Sequence, residues 1–367
     1  MPVNQTQNFA NNEQNSSRFK LVDFFCGAGG MSCGFSQAGV EILAGIDIEK
    51  QFEKTYIENH KGALFINEDI TKYQPEQLQS AISVKKFDDN LIFIGCSPCQ
   101  YWSKINTFKH KSSYSSNLIG DFQRFIKYFM PGHIVVENVP GLLNAKNNHT
   151  LLGFLDFLIF NGYKHEYKII QTDKYGVPQR RKRFVLIASR LKNPINFPEP
   201  VDNDMLTVRN FIGEHNGFAK ITDGHIDKTD FNHSTSQLST LNKKRIEITP
   251  KNGGTRKAWK DNEELQIDAY RGSGKDDMFK TIYGRLYWDK PASTITTRFI
   301  ATSCGRFAHP DEDRGLSIRE GATLQTFPVN YKFVGGLVSV AKQIGNAVPP
   351  EMARRIAVSI INNQSNG

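Results

Sequence analysis

Two cysteines are the residues best suited to chemistry, Cys96 and Cys99 in the stretch LIFIGCSPCQYWS. The apolar run before them predicts a buried strand, and Pro98 places Cys99 just beyond the strand end, where a loop begins. Buried thiols mostly serve packing, whereas a reactive thiol needs a partly open position. The pattern therefore favours Cys99 as a nucleophile and Cys96 as a structural residue.

A redox pair and a metal site are the alternatives for a C-x-x-C sequence. A thioredoxin-like motif opens a helix, but YWSKINTFKHKSSYSS after Cys99 is polar and loop-like, which argues against a thiol oxidoreductase. A four-thiolate zinc site prefers a second close pair, and the other cysteines, Cys26, Cys33 and Cys304, are scattered. We therefore expect no metal and no disulfide scaffold.

A glutamate and several arginines are predicted near the thiol. Glu137 ends the predicted strand HIVVENV, and a cysteine with a proton-carrying glutamate suits attack on a heteroaromatic ring; an exposed strand-end charge is the alternative. In QRRKRFVLIAS, the strand period of two puts Gln179, Arg181 and Arg183 on one face. Arg183 is predicted to point toward the site, where its planar guanidinium binds a carbonyl oxygen or a phosphate.

A glycine-rich turn, CGAGG (26–30), connects a predicted strand to a predicted helix. Glycines at such a turn let the backbone approach a ligand closely, although tight packing is the alternative. Asp47 follows about 20 residues later, where a ribose-binding acid is expected. The full G-x-G-x-x-G pattern is missing, which favours a nucleoside without a pyrophosphate. Asp69 ends the third strand and either accepts from a base amino group or caps a helix.

Alternating strands and helices must position these residues. They predict an α/β fold with a doubly wound, mostly parallel, Rossmann-like sheet. Residues 1–18 are polar and predict a disordered tail. The sheet domain is expected over 19–197, a loop-rich domain over 198–336, and a C-terminal helix that returns to the sheet domain over 337–367.

Composition limits the partners. The chain has 367 residues, and 46 Lys and Arg against 37 Asp and Glu give a net charge of +9, which favours a polyanionic partner. The basic residues cluster in QRRKR and in 242–260. The longest apolar run, LLGFLDFLIF, is too short to cross a membrane, and the N-terminal stretch lacks a secretory pattern. We expect a cytoplasmic protein.

Taken together, these motifs resemble the DNA cytosine-5 methyltransferases of bacterial restriction–modification systems. The resemblance covers roughly residues 19–361. It is carried, in family order, by DFFCGAGG, GIDIEK, NEDI, GCSPCQ, ENV, QRRKR, RGLSIREGATLQTFP and QIGNAVPP. It implies the S-adenosylmethionine-dependent methyltransferase fold, with S-adenosylmethionine as cofactor and double-stranded DNA as substrate.

The resemblance also implies a mechanism. The target cytosine would be flipped out of the duplex, because its reacting carbons are inaccessible in the base stack. Cys99 would attack C6, Glu137 would hold a proton on N3, and Arg183 would bond O2, with Arg181 counted among the catalytic residues. The activated C5 would take the methyl group, and loss of the C5 proton with elimination of Cys99 would release 5-methylcytosine.

The implied binding residues form two groups. The resemblance assigns the cofactor to Phe25, Gly27, Ala28, Gly29, Gly30, Asp47, Ile48, Asp69, Ile70, Pro98, Leu118, Asn346 and Ala347. It assigns DNA to Gln100 and Ser103 of the loop after Cys99. Arg245, Arg256 and Arg271 of the predicted target-recognition domain are candidate base or phosphate readers, with solvated surface charge as the alternative. Arg319 and Glu320 are expected to be structural.

Two departures from the family pattern concern the loop and the ribose. The family often has Gln-x-Phe-Ser after the nucleophile, where this chain has Gln100-Tyr101-Trp102-Ser103, so we expect a modified loop contact. The ribose acid is often Glu, and the sequence leaves Asp47 and Glu49 both open.

Other readings stay open from the sequence. They are a tRNA cytosine-5 methyltransferase, disfavoured by the long insertion after QRRKR, and a DNA-binding protein without catalysis, disfavoured by Cys99 and Glu137. One copy should suffice for the chemistry. The sequence does not reveal the recognised DNA sequence or whether a cognate endonuclease exists.

Overall fold

The structure is a computed structural model that describes residues 19–97, 118–144, 148–201, 206–267 and 281–365. The predicted disordered tail lies outside the described residues. So do Pro98, Cys99, Gln100 and Ser103 of the loop after the fourth strand, and Arg271 of the predicted recognition region.

Seven of the described strands form the main sheet: β1 Lys20–Phe24, β2 Glu41–Ile46, β3 Leu64–Ile66, β4 Leu91–Gly95, β5 His133–Asn138, β6 Lys164–Gln171 and β8 Lys182–Ser189. Their order in the sheet is β3-β2-β1-β4-β5-β8-β6. Strands β1 to β5 pair in parallel, whereas β8 runs antiparallel to both β5 and β6. The predicted doubly wound, mostly parallel α/β sheet is confirmed.

A second, two-stranded sheet pairs β7, Gln179–Arg180, with β9, Ala292–Ser293. The α-helices within the described residues are α1 Gly30–Gln37, α2 Glu53–Asn59, α3 Pro75–Ile82, α4 Leu118–Phe129, α5 Asn148–Phe160, α6 Thr240–Ile248, α7 Ile318–Leu324, α8 Leu337–Asn346 and α9 Pro350–Ser365. Among them, none is long and apolar enough to cross a membrane.

Helices cover both faces of the main sheet. Side chains alternate along β1, so Val22 and Phe24 point to one face and Asp23 to the other. Phe24 packs edge-on against Phe122 of α4, with ring centroids 5.0 Å apart, in a large apolar core. Asp23 contacts Ser32 of α1 on the opposite face. The strand ends are thereby held between two helical layers.

The chain divides into two compact units. Within the described residues, the larger unit comprises 19–97, 118–144, 148–175, 182–201 and 348–365, and it contains the main sheet. The smaller unit comprises 176–181, 206–267 and 281–347. Two of its segments differ from the expected ranges: Gly176–Arg181 joins it through the β7–β9 pairing, and α8 joins it because Gly345 packs directly on the Thr296 backbone.

Candidate active site

The glycine-rich turn follows β1 and leads into α1. Phe25 has φ +62°, Gly27 +53° and Gly29 +83°, so the chain enters the left-handed region three times within five residues. Phe25 carries this conformation with a bulky side chain, which costs about 1 to 3 kcal/mol and is typical of functional sites. A Cβ on Gly27 would meet nothing within 4 Å among the described atoms. The turn therefore presents bare backbone on an open side, while Ala28 and Gly30 are buried.

Asp47 lies beside this turn, directly after β2. Its Oδ2 accepts from the Gly27 N–H at 2.9 Å, and its Oδ1 accepts from the Glu49 N–H at 2.8 Å. Both oxygens thus hold backbone that frames the predicted ribose position. Glu49 is half-buried and accepts from the Gln51 side chain, and Ile48 between the two acids is 58% exposed. The structure places both acids next to the turn, and the choice of ribose ligand stays a prediction.

Asp69 occupies the turn after β3. Its Oδ1 accepts from the backbone N–H of Thr71 at 3.0 Å and from the Thr71 hydroxyl at 2.8 Å. This is a local Asx turn and not the helix cap that the sequence left open, because α3 begins only at Pro75, with Gln74 as its N-cap. The base contact stays a prediction. The neighbouring Ile70 and Leu118 are buried in the main apolar core.

Glu137 and Arg183 lie on adjacent antiparallel strands and form an ion pair. Arg183 Nε lies 2.8 Å from Glu137 Oε1, and the side chains are 14% and 6% exposed. Arg183 Nη1 also donates to the Lys182 carbonyl at 2.8 Å. A nearly buried carboxyl group beside a guanidinium can donate to a planar ring held against the same strand ends when it is protonated, and can accept from that ring when it is ionised. The alternative of an exposed strand-end charge is wrong for Glu137, because its side chain is buried.

Asn138, the residue after Glu137, holds the backbone just before the predicted nucleophile. Its Nδ2 donates to the Ser97 carbonyl at 3.3 Å and to the Ser97 hydroxyl at 3.2 Å. Both residues are buried. Ser97 is the last described residue before Pro98 and Cys99, so Asn138 fixes the point from which the thiol-bearing segment departs.

The predicted alternation along QRRKR is confirmed by burial. Gln179 and Arg181 are buried, Arg180 and Lys182 are exposed, and Arg183 is half-buried. Arg181 belongs to the smaller unit, where its Nη1 donates to the Ile295 and Gly345 carbonyls, each at 3.2 Å. These contacts give Arg181 a structural task within that unit, and its catalytic role stays a prediction.

Two arginines expected to read DNA are instead buried inside the smaller unit. Arg245 is 6% exposed; its Nε donates to the Leu265 carbonyl and its Nη2 to the Gln266 carbonyl, both at 2.8 Å. Arg256 is 7% exposed. A guanidinium enclosed in this way does not reach a groove of DNA, so we correct the assignment of both residues. Sequence could not show this, because a buried and an exposed arginine look alike in a basic stretch.

The remaining assigned residues lie in the smaller unit. Asn346, at the end of α8, is exposed, and Ala347 is buried. Their predicted place in the cofactor pocket stays a prediction. Arg319 and Glu320 are fully buried, in agreement with the structural role expected for them.

Sequence reasoning missed a buried polar cluster below the glycine turn. Ser32 of α1 donates from Oγ to Asp23 Oδ2 at 2.7 Å and lies 2.9 Å from the Tyr56 hydroxyl of α2. Burial raises the pKa of Asp23 to about 7, against the opposing hydrogen bond from Ser32. The signal was present in the sequence, because Asp23 interrupts the otherwise apolar core of KLVDFF.

The sequence is similar to that of known DNA methyltransferases along most of its length. The sequence model of the C-5 cytosine-specific DNA methylases matches residues 19–362. The type II methylase M.HgiDII of Herpetosiphon aurantiacus is 34% identical over 349 residues, 93% of this chain and 94% of that protein. The type II methyltransferase M1.HphI of Haemophilus parahaemolyticus is 31% identical over 353 residues, 94% of this chain and 87% of that protein.

A solved structure supports the fold. A protein encoded within an E. coli prophage, described as a DNA modification methyltransferase, superposes with a TM-score of 0.74 at 20% identity. The match covers 95% of this chain and 99% of that one.

Proposed function

Because this chain belongs to the C-5 cytosine-specific DNA methylase family, we propose that it methylates C5 of a flipped-out cytosine at a specific sequence in duplex DNA. In this proposal the modified DNA is the host's own, protected within a restriction–modification system. The alternative substrate, a cytosine in tRNA, is an outcome of the experiment below.

The observation that supports this most is the Glu137–Arg183 pair at adjacent strand ends, with N and O 2.8 Å apart. A cytosine presents its N3 and its O2 side by side on one edge. In the proposed complex Glu137 carries a proton to N3 and Arg183 donates to O2, so both stabilise the negative charge that develops in the ring. The pair is then a preformed receptor for that edge.

The covalent step is assigned to Cys99. Its thiolate adds to C6, the carbon conjugated with C5, and the electron pair of the C5–C6 double bond makes C5 nucleophilic. After methyl transfer to C5, a base removes the C5 proton and the C6–S bond breaks, which restores the double bond and the thiolate. Asn138 supports this step by holding Ser97 at the root of the loop.

S-adenosylmethionine, which supplies the methyl group, fits the turn between β1 and α1. The space above Gly27 and the bent backbone at Phe25 and Gly29 leave room for a nucleoside against bare peptide. In the proposal Phe25 stacks on the adenine, Asp47 or Glu49 binds the ribose, and the turn contacts the methionine portion.

The smaller unit is proposed to recognise the target sequence. Its exposed lysines, rather than Arg245 and Arg256, would meet phosphates, for example Lys257 in the basic stretch 242–260. The chemistry needs one copy of the chain, and no endonuclease has to be physically attached.

The test is methyl transfer from labelled S-adenosylmethionine to unmethylated duplex DNA, with tRNA alongside, followed by sequencing for 5-methylcytosine. Wild-type protein should label DNA at one short recurrent sequence. Cys99→Ser should lose at least about 1000-fold in rate, because the nucleophile is removed. The matched control Cys96→Ser should retain substantial activity.

Three outcomes would change the assignment. Label on tRNA alone would move the protein to RNA substrates. Comparable losses in Cys96→Ser and Cys99→Ser would favour a paired-thiol mechanism. DNA binding without label would indicate a protein that keeps the fold but not the chemistry.

A further inference from the structure

Three polar side chains from three different elements meet beneath the glycine turn of the larger unit. Asp23 is in β1, Ser32 in α1 and Tyr56 in α2, and all three are at most 1% exposed. The Ser32 hydroxyl has a single proton and donates it to Asp23 at 2.7 Å, so Tyr56 donates to Ser32 across 2.9 Å. The result is a short hydrogen-bond relay from Tyr56 through Ser32 to Asp23.

This relay is costly to bury, which indicates that it has a task. Asp23 Oδ1 has no hydrogen-bond partner among the described residues, and burial raises the pKa of this carboxyl to about 7. Apolar side chains of similar volume would avoid that cost. Asp23 is nevertheless buried in β1, the strand that leads directly into the glycine turn.

The relay fits its surroundings closely. A Cβ added to Gly45 of β2 would lie 2.4 Å from Tyr56 Cζ and 2.7 Å from Cys26 Sγ. Gly45 therefore lets the phenol and the first residue of the turn press against β2 together. The Cys26 N–H also donates to the Ile46 carbonyl at 3.1 Å. The base of the turn is seated between the relay and the end of β2.

A neighbouring histidine completes the contact with the turn. The His60 ring lies against the Tyr56 ring, with centroids 4.6 Å apart, and it hydrogen-bonds the Gly29 backbone. Tyr56 thus contacts α1 through Ser32 and reaches Gly29 through His60. A shift of the phenol would move both ends of the Cys26–Gly30 turn.

From this geometry we propose that Ser32 and Tyr56 are positioning residues that hold the glycine turn in the shape that binds S-adenosylmethionine. The inference rests on the proposed function, because it assumes that this turn is the cofactor site. Neither residue touches the cofactor in this proposal. They act through the backbone of α1 and of Gly29.

The experiment compares two hydroxyl deletions in the relay with one hydroxyl deletion elsewhere in the same unit. Tyr56→Phe and Ser32→Ala each remove a hydroxyl of the relay. Tyr163→Phe is the matched control, because its buried hydroxyl donates to the Pro131 carbonyl at 2.7 Å in the same unit, away from the turn. Calorimetry gives the dissociation constant of S-adenosylmethionine, and steady-state kinetics give kcat and both KM values.

The expected result is a selective loss of cofactor affinity. Tyr56→Phe and Ser32→Ala should each raise the cofactor Kd and KM roughly five- to tenfold, the usual effect of one buried hydrogen bond. At saturating cofactor, kcat and the KM for DNA should stay within about twofold of wild type. The double variant should be little worse than either single one, because both cut the same relay. Tyr163→Phe should bind cofactor like wild type.

Two results separate the possible failures. If Tyr56→Phe lowers the melting temperature as Tyr163→Phe does but leaves the cofactor Kd unchanged, the relay is only structural and the inference is overturned. If wild-type protein neither binds S-adenosylmethionine nor transfers its methyl group, the proposed function itself is overturned, and the inference with it.

Discussion

The two units of this protein are stabilised in different ways. The larger unit is built around an apolar core of strand and helix residues, including Phe24, Phe93 and Phe125. In the smaller unit the largest fully buried side chains include Arg285, Arg314 and Arg319. Burial of apolar groups is non-directional, whereas a buried guanidinium needs a specific acceptor for each N–H. The smaller unit therefore depends on specific hydrogen bonds from its buried arginines. Loss of one such partner should lower the free energy of unfolding more than a comparable loss in the larger unit.

The Arg314–Glu320 pair shows how these pairings are made. Nη1 and Nη2 of Arg314 each donate to one carboxylate oxygen at 2.8 Å, and the Ser317 N–H donates to the same carboxylate at 2.8 Å. Burial alone would raise the pKa of Glu320, but the Arg314 charge and hydrogen bonds lower it to about 2. Ser317 and Glu320 also form the capping box that begins α7.

Breaking this pair should have the largest effect on stability. Arg314→Ala leaves the Glu320 carboxylate buried without its counter-charge and should cost about 3 to 5 kcal/mol in the free energy of unfolding. The control, Arg354→Ala, removes a partly exposed pair with Glu351 in the larger unit and should cost at most about 1 kcal/mol. Urea unfolding measures both. Similar losses for the two variants would remove the distinction between the units.

An apolar replacement of both partners sharpens the comparison. Because desolvation of the two charges opposes their attraction, Arg314→Met with Glu320→Leu should be less destabilised than Arg314→Ala alone. A double variant that is as unstable as the sum of its singles would show that these ionic contacts contribute independently.

The larger unit has its own buried charge, and its pH dependence should be distinctive. The pKa of Asp23 is raised to about 7 in the folded chain, from an ordinary value of 3.8. The folded state therefore holds an extra proton between those values, and stability falls as pH rises from about 4 to 7. Relative to wild type, Asp23→Asn should gain roughly 3 kcal/mol over that interval and nothing further above it.

Urea unfolding at several pH values from 4 to 9 tests this expectation. Buried histidines titrate in both proteins, so only the difference between wild type and variant is informative. A difference that is flat from pH 4 to 7 would contradict the raised pKa.

The smallest expected effect concerns one exposed turn in the larger unit. Ser83 ends α3 in the left-handed conformation, with φ +51°. Glycine adopts this conformation without the Cβ penalty, so Ser83→Gly should gain about 0.5 kcal/mol. Ser83→Ala keeps the penalty and should not gain. Thermal unfolding of the three proteins measures the difference, and an equal rise for both variants would mean that the hydroxyl, not the conformation, is unfavourable.

The same contrast explains what the sequence could predict. The strands around Val22, Phe93 and Val135 follow from apolar runs between turn residues, and the alternation at Gln179 to Arg183 follows from the strand period. Both depend on near neighbours in the sequence. The fate of Arg245 depends on carbonyls of Leu265 and Gln266, some 20 residues away, and no local pattern encodes such partners.

The candidate site divides in the same manner. Glu137 at a strand end and Asp47 after β2 could be located from strand boundaries alone. The ion pair of Glu137 with Arg183 required the antiparallel placement of β8 against β5, which is a property of the whole sheet. The hydrogen bonds of Asp23 with Ser32 and of Ser32 with Tyr56 depend on how β1, α1 and α2 pack together. The only sign of them in the sequence is an acidic residue in an otherwise apolar strand.

The contact of α9 with α1 bears on how the protein is made. Gly34 of α1 lies so close to α9 that an added Cβ would be 2.2 Å from the Pro350 carbonyl oxygen. The two helices are more than 300 residues apart in the chain. During translation α1 must therefore wait for α9 to leave the ribosome, so the nascent chain exposes an apolar helix face that chaperones can bind in the interval.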